Sequence, residues 1–301
     1  MRLSIALAVL VVSLMAIGAT GLTATDQDDV RGAFLTSRPK EKSEAPPAKP
    51  TRRRPRPAAS PTPRRTDNTP APTPTPLKSP SPGTVDPTKV NTARLGLGLT
   101  LFMRDSNGLA VRIDPSHVFT KGDRVRVLLE TNSDGYLYIF NTTDDGPAVM
   151  LYPDPQLDEA GNYLQAHVPF EIPSSMNDQE RLRWLVFDEH AGNERLYFVF
   201  TREPLAGVPI EDELISTCKD ANPPCPWQPS AEVWAQVRKQ MNEPVQVDKA
   251  KKYDRPQTES EHQATTRGLG LSKSDPEPSL VMMVASSNKS TLVTSLDLIH
   301  K

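Results

Sequence analysis

Side chains that could carry out nucleophilic catalysis are present in the chain, but they form no recognised motif. A serine hydrolase needs a serine activated by a histidine, which a carboxylate orients. Ser133, His167 and Asp188 supply these residue types, yet there is no Gly-x-Ser-x-Gly turn and no Ser-x-x-Lys accompanied by its supporting motifs. Almost any chain of 301 residues contains such a trio. The sequence therefore predicts a protein that is not an enzyme, and a secreted hydrolase with an unrecognised active site is the alternative.

The histidines and the loop carboxylates lack the spacings of metal sites. The five histidines include no His-x-x-x-His pair, so we expect no zinc. Loop carboxylates are typical calcium ligands, but those of this chain lack the ordered spacing of a calcium loop. We predict no metal and no cofactor, and we interpret these carboxylates as solvated turns. They are Asp144, Asp145, Asp154, Asp158 and Glu159, of which Asp144, Asp145 and Asp154 are candidates for binding loops.

Arginine and tyrosine side chains could instead form a recognition surface on a β-sheet. Both residue types are common at protein interfaces, and here they occur in segments with the alternation typical of strands. The alternative is that the aromatic side chains are core residues, which the same alternation favours. The candidate binding face consists of Arg126, Tyr136, Tyr138, Arg183, Arg195 and Tyr197.

Strands must position these residues, and the clearest predicted strand is Gly135–Asn141. Its aromatic and β-branched residues lie between Asn/Asp/Gly turns, and both faces carry large side chains, which predicts a central strand covered on both sides. Short strands separated by turns indicate a mainly β domain, an antiparallel sandwich or a barrel-like fold. The other predicted strands of this region lie within 95–103, 109–113, 124–129, 148–152, 181–188 and 194–201.

The pattern changes in the last third of the chain. A short helix is predicted from Ile210, and Ser230 is a plausible N-cap for a second helix. Val233, Val237 and Met241 would give that second helix an apolar face, since they are four residues apart. The predicted β-sandwich-like domain spans 91–301 and includes a small helical insertion at about 208–242, a flexible loop at about 243–278 and a C-terminal hairpin at 279–300.

The N-terminal part of the chain has the composition of an exported protein on a tether. Residues 1–24 combine Arg2 with an apolar run of signal-peptide length, which predicts a periplasmic or extracellular protein. An uncleaved N-terminal membrane anchor is the alternative. Residues 25–90 hold many of the 31 prolines and predict a disordered linker. Extended at ~3.1 Å per residue, a tether of about 50 residues could reach on the order of 150 Å.

Charge is distributed unevenly between the linker and the rest of the chain. From Arg38 to Arg65 there are ten Lys/Arg and two Glu, whereas from Gly83 onward there are 22 Lys/Arg and 31 Asp/Glu. A basic linker could bind an anionic cell-wall polymer, or it could simply remain solvated. No nucleic acid is expected, because the segment is predicted to be exported and lacks interleaved aromatic residues. The candidate anion contacts are Arg52, Arg53, Arg54, Arg56, Arg64 and Arg65.

The chain contains two cysteines, Cys218 and Cys225. Paired cysteines of exported proteins usually form disulfides, whereas a cytosolic pair would stay reduced. Because export is predicted, we expect a Cys218–Cys225 disulfide that closes a small loop and adds local rigidity.

Several short motifs carry a family resemblance. They are Leu97-Gly98-Leu99-Thr100-Leu101-Phe102 with Asp105 and Gly108, Asp134-Gly135-Tyr136-Leu137-Tyr138-Ile139-Phe140, Leu151-Tyr152-Pro153-Asp154-Pro155, Ile172-Pro173, and Glu194-Arg195-Leu196-Tyr197 leading to Pro204. With these motifs the run from Leu95 to Pro204 resembles a bacterial family catalogued as domain of unknown function 4384. The resemblance implies an extracytoplasmic domain in its stand-alone form, and it carries over no catalytic residues.

These observations lead to one main hypothesis and two alternatives. The main hypothesis is an exported, non-catalytic module that binds an envelope protein or an envelope polymer, or that acts as a sensor. The first alternative is the hydrolase with an unrecognised site. The second is that the linker, rather than the domain, carries the function by binding an anionic polymer.

Overall fold

Two β-sheets form the framework of the molecule, which confirms the predicted mainly β sandwich. The computed structural model describes residues 24–40, 94–157, 161–220, 225–250, 253–266, 268, 270–275 and 277–301. The helices in these ranges are α1 (Ala24–Leu35), α2 (Glu211–Asp220), α3 (Ala231–Gln240) and α4 (Glu259–Thr266). The strands are β1 (Gly96–Arg104), β2 (Ala110–Ile113), β3 (Val118–Phe119), β4 (Arg124–Thr131), β5 (Gly135–Thr143), β6 (Val149–Tyr152), β7 (Tyr163–Leu164), β8 (Phe170–Ile172), β9 (Leu185–Val186), β10 (Gly192–Thr201), β11 (Val245–Lys249), β12 (Val281–Ala285) and β13 (Thr291–His300).

Strands that are distant in sequence are neighbours in both sheets. The first sheet has the order β11-β12-β1-β4-β8, with β2 paired to β1 and β9 paired to β4. The second sheet has the order β3-β13-β10-β5-β6, with β7 paired to β5. The pairs are antiparallel except for β3 and β13, which run parallel. The predicted C-terminal hairpin is not formed, because β12 joins the first sheet and β13 joins the second.

The strand predicted to be central, β5, lies between β10 and β6 and is covered on both faces. Leu137 and Ile139 point into the core between the sheets, where they join Leu97 of β1. Tyr138 and Phe140 point the other way, into a second apolar core. The large side chains on both faces of β5 are therefore explained: one face packs in the interior of the sandwich and the other packs against the helical layer.

The helical layer over the second sheet consists of α2 and α3, within the predicted insertion. The Ser230 hydroxyl accepts a hydrogen bond from the backbone N–H of Val233 at 3.3 Å, which caps α3 as predicted. Val233 and Val237 are buried in the second core. The Cys218–Cys225 disulfide is formed, with 5.1 Å between the two Cα atoms, and this prediction is confirmed.

The predicted flexible loop at about 243–278 contains ordered elements, so that prediction was wrong for β11 and α4. β11 extends the edge of the first sheet, where Val247 lies opposite Met283 of β12. In α4, Glu261 forms a buried ion pair with Arg112 of β2. The sequence of this region is polar, and its order comes from pairing with partners on the sheet rather than from its own apolar periodicity.

The start of the predicted disordered linker at 25–90 is also ordered, so the prediction was wrong for residues 25–40. Helix α1 packs on the outer face of the first sheet, where Val30 and Phe34 form an apolar cluster with Met282 and Val284 of β12. A short polar helix is marginal by itself and is stabilised by tertiary packing. The docking surface, rather than the helix sequence, therefore explains why this segment is folded.

Glycines of β1 make room for the docked helix. A Cβ atom on Gly96 would lie 2.9 Å from Cε2 of Phe34, and one on Gly98 would lie 2.4 Å from Oγ of Ser279. Leucines alternate with these glycines and fill the core on the opposite face. The Leu-Gly alternation thus provides apolar bulk inside the sandwich and a shallow outer trough that receives Phe34.

The predicted signal peptide lies outside the described residues, apart from Ala24, and so do the remainder of the linker and its six candidate arginines. Among the residues that the structure describes, no helix is both long enough and apolar enough to cross a membrane.

Candidate functional site

Arg126 of the predicted binding face lies on the outer face of the first sheet, whereas Arg183 lies in the turn before β9 and its Nε atom donates to the carbonyl oxygen of Asn177 at 2.7 Å. The Arg126 guanidinium stacks on Trp184 at 4.1 Å from the ring centroid and donates to the carbonyl oxygen of Arg183 at 2.9 and 3.1 Å. Its Nη1 atom lies 3.5 Å from Oε2 of Glu171. Burial lowers the pKa of Arg126, and the neighbouring Glu171 opposes that shift. Arg126 is therefore enclosed by its own domain.

The tyrosines of the predicted binding face lie on the outer face of the second sheet. Tyr138 is fully buried beneath the helical layer, and its hydroxyl accepts a hydrogen bond from the backbone N–H of Leu205 at 2.9 Å. Burial raises the pKa of Tyr138. Tyr197 packs edge-on against Trp234, with 4.8 Å between the ring centroids, while Tyr136 is partly exposed. The core interpretation of the aromatic residues holds for Tyr138 and Tyr197.

Arg195 is the last residue of the predicted binding face and lies near the amino-terminal end of β10. Its Nε atom donates to Asp297 at 2.5 Å, and its Nη1 atom lies 3.2 Å from a carboxylate oxygen of Asp145. The predicted residues that lie on strands thus belong to the outer faces of two different sheets, and Arg183 lies in the turn before β9. The structure does not bring them together as one binding face.

The carboxylates of the predicted binding loops have separate local roles. Asp144 and Asp145 form the turn after β5 with φ angles of 49° and 58°, and Asp144 accepts a backbone N–H from β10 at 2.8 Å. Asp154 accepts the backbone N–H of Gln156 at 2.8 Å, and burial raises the pKa of Asp154. Within the described ranges, no three His, Cys, Asp or Glu residues are grouped to hold a metal ion. Asp158 and Glu159 lie outside those ranges.

The trio Ser133, His167 and Asp188 is not assembled as a catalytic site. The Ser133 hydroxyl is buried and has no hydrogen-bond partner among the described residues. Asp188 lies at the surface, where it contacts His190 at 3.1 Å. His167 is buried and is engaged by other residues.

His167 instead lies in a polar chain with Ser37 and Glu130. Its Nε2 atom is 3.0 Å from Oγ of Ser37, and its Nδ1 atom is 2.9 Å from Oε1 of Glu130. Glu130 also accepts hydrogen bonds from Nε and Nη2 of Arg38 at 3.0–3.1 Å, and both of these side chains are completely buried. The backbone φ of His167 is 59°, which non-glycine residues rarely adopt. Sequence reasoning missed this chain because Ser37 and Arg38 were assigned to the linker.

An open cavity of about 290 Å³ lies between the two sheets at one end of the sandwich. Strands β4 and β9 line it from the first sheet, and β5, β6, β10 and β13 line it from the second. Its apolar walls are formed by Val125, Val127, Leu151, Leu185, Val186, Phe187, Leu196 and Leu298. Its polar lining is formed by Asn141, Thr143, Asp188, Glu194 and His300. We call this feature the end cavity.

The inner face of the second sheet changes from apolar to polar at the end cavity. Along β5, Ile139 is followed on the same face by Asn141 and Thr143, and along β10, Leu196 gives way to Glu194. The Glu194 carboxylate accepts Nδ2 of Asn141 at 2.7 Å and Oγ1 of Thr143 at 2.9 Å. Sequence reasoning missed this cluster. Its available signal was the interruption of apolar alternation at the end of β5.

The sheets, the helical layer and the end cavity define an antiparallel β-sandwich module with an open end. A family model described as domain of unknown function (DUF4384) matches residues 118–204, which confirms the resemblance over β3 to β10 and leaves the β1 motif outside the match. No curated protein and no solved structure matches the chain.

Proposed function

We propose that this chain is an exported, non-catalytic interaction or sensing module of the bacterial cell envelope, which binds a protein or an envelope polymer. The end cavity carries this proposal, because a concave site with apolar walls and a few convergent polar groups is typical of ligand binding. The signal-like residues 1–24 support export, and the basic composition of the linker supports contact with an anionic polymer.

The end cavity is lined by firmly paired strands, which favours binding of a ligand at a preformed site. Its lining strands β4, β5, β10 and β13 are held by continuous antiparallel pairing, for example across all ten residues of β10. The turn at Asp144 and Asp145, a predicted binding loop, directly follows the lining residue Thr143. Sites on rigid strands with adjoining loops are a common arrangement for binding.

We expect Val186→Trp to abolish retention of envelope material. Val186 lines the end cavity and is 53 % exposed, so the larger indole ring can be accommodated there and would occupy the space that a ligand needs. The measurement is retention of purified cell-wall fragments and solubilised envelope proteins on the immobilised protein. Val118→Trp is the matched control, since Val118 is 40 % exposed in the two-residue edge strand β3 and does not line the cavity. Equal retention by the two variants, or turnover of glycan or peptide by the purified protein, would contradict the proposal.

A secreted hydrolase is the second candidate, and the chain of Ser37, His167 and Glu130 favours it. The distances from the His167 ring nitrogens to Ser37 and Glu130 match those between a catalytic serine, its histidine base and the carboxylate that orients the histidine. However, Oγ of Ser37 also lies 2.6 Å from the carbonyl oxygen of Ala33, just beyond the carboxyl end of α1. That end of a helix disfavours negative charge and presents carbonyls where an oxyanion needs N–H donors. The geometry therefore fits a structural hydrogen bond better than a nucleophile.

A fluorophosphonate probe separates the two candidates, because it labels activated serines. We expect the purified protein and its Ser37→Ala variant to give the same background signal in a gel-based labelling assay. Labelling of the unsubstituted protein that disappears in Ser37→Ala would overturn the non-catalytic proposal and identify Ser37 as a nucleophile.

A further inference from the structure

We infer that the end cavity binds a cation carried on an apolar stem, namely an alkylammonium group such as a lysine side chain of a partner peptide. This inference rests on the proposed function, since it assigns a ligand class to the same cavity. Three features of the cavity lead to it: a carboxylate without a counter-charge, an amide oxygen without a donor, and apolar walls.

The carboxylate of Glu194 is held in place at the cavity but has no cationic partner among the described residues. Its hydrogen bonds come from the neutral side chains of Asn141 and Thr143, at 2.7 and 2.9 Å. The adjacent Arg195 is directed to the other face of β10, where it pairs with Asp297 and Asp145. Glu194 is thus fixed by two donors while its negative charge remains unpaired, and a charge-assisted hydrogen bond from a ligand cation would complete it.

A second acceptor lies beside this carboxylate. Oδ1 of Asn141 is buried and has no hydrogen-bond partner within the part of the chain that the structure describes, whereas Nδ2 of the same amide donates to Glu194. Buried polar atoms in proteins are normally hydrogen-bonded, and exceptions often mark a position that a ligand fills. An ammonium group carries three donors and no acceptor, so one group could satisfy both Asn141 and Glu194.

The rest of the lining is suited to an alkyl stem and disfavours an anion or a metal ion as the ligand. Val127, Leu196 and Leu298 form apolar walls close to the polar cluster. Asp188 adds a second carboxylate to the lining, but it contacts His190 at 3.1 Å and His300 also lines the cavity, so an anion would be repelled chiefly by Glu194. A metal ion is disfavoured, because the described residues provide no cluster of three metal-binding side chains. A flexible stem with a terminal ammonium matches the apolar walls and the acceptors together.

The test compares two small probes that differ in the charged group. Nα-acetyl-lysine methylamide carries the ammonium, and Nα-acetyl-norleucine methylamide keeps the alkyl stem without it. We titrate each probe into the purified full chain at low salt and follow the backbone and side-chain amide signals by NMR. We expect the lysine probe to shift the side-chain amide signals of Asn141 and to bind at least tenfold more tightly than the norleucine probe.

Glu194→Gln is expected to weaken binding of the lysine probe by at least tenfold and to leave the norleucine probe unaffected. Glu203→Gln is the matched control, because Glu203 is exposed beyond the opposite end of β10 and should not alter either titration. Equal affinity for both probes, or an unchanged affinity in Glu194→Gln, would overturn the inference.

The result can be separated from the proposed function. If Val186→Trp abolishes retention of envelope material while neither probe shifts the Asn141 signals, the module is a binder of another ligand class and only this inference fails. If the lysine probe binds as expected while Val186→Trp retains envelope material normally, the ligand class of the cavity stands and the proposed role in envelope binding fails.

Discussion

Arg38→Met is expected to lower the free energy of unfolding by about 3–5 kcal/mol, because it leaves the buried Glu130 carboxylate without its cation. Arg38 and Glu130 are joined by three hydrogen bonds, and the Arg38 Nη1 atom donates in addition to the carbonyl oxygen of Asp275 at 3.1 Å. After the substitution, His167 is the remaining partner of Glu130. Equilibrium unfolding in urea, with the midpoint and the slope fitted together, measures the loss.

Arg195→Met is the matched control for this prediction. Arg195 also pairs with carboxylates, but at the surface, where such pairs contribute about 0–1 kcal/mol. Replacing both Arg38 and Glu130 by apolar residues should recover part of the lost stability, since no buried charge is then left unpaired at that pair. If Arg38→Met costs no more than Arg195→Met, residues 36–40 do not dock on the domain as described.

Phe34→Ala is expected to destabilise the protein by about 3–5 kcal/mol, the usual cost of removing a buried phenylalanine. Phe34 is completely buried, although it precedes the first strand by more than 50 residues. Its ring lies in the trough above Gly96 and Gly98, beside the side chains of Asn132 and Ser279. The same unfolding measurement, combined with hydrogen exchange of β12, would show both the loss of stability and its location.

Leu35→Ala provides the comparison, because the neighbouring Leu35 is 37 % exposed and its truncation should change stability by about 0.5 kcal/mol or less. A disordered linker would give the opposite pattern, with two small and equal effects. The difference between these two variants therefore tests the correction made to the predicted linker at residues 25–40.

The strands with an apolar inner face could be predicted from the sequence. In β1, β4 and β5, every second residue faces the same core, so the period of two is visible in the chain itself. The two-sided bulk of β5 also predicted correctly that both faces are covered. The alternation of apolar and other residues shows which side chains of a strand point inward, and it can be read within one short segment of the sequence.

The elements that were missed are stabilised by partners distant in sequence. Helix α1 offers the apolar pair Val30 and Phe34 on an otherwise polar segment, and α4 contributes Glu261 to a buried ion pair with Arg112. Such segments have too little apolar periodicity to be distinguished from a solvated loop. Their order depends on sheet surfaces that exist only after the distant strands have paired.

The residues of the candidate binding face are not neighbours in the structure, and the sequence could not show this for a related reason. Alternation placed Arg126 on the face opposite Val127 and Tyr138 on the face opposite Leu137, but it could not show that their strands belong to different sheets. It also could not show what covers an outward face, which is Trp184 in one case and the helical layer in the other. The end cavity could not be predicted from the sequence either, because Asn141 and Glu194 meet only when β5 and β10 pair.

The Asn132 side chain has a consequence for the topology of the whole protein. Its Nδ2 atom donates to the carbonyl oxygen of Arg94 at 2.9 Å and contacts that of Ala33 at 3.5 Å, so α1 and the start of β1 meet at one amide group. Two described segments that lie far apart in the sequence therefore meet on one domain, namely residues 24–40 and the start of β1. Residues 24–40 are thus a part of the folded domain and not of a spacer that precedes it.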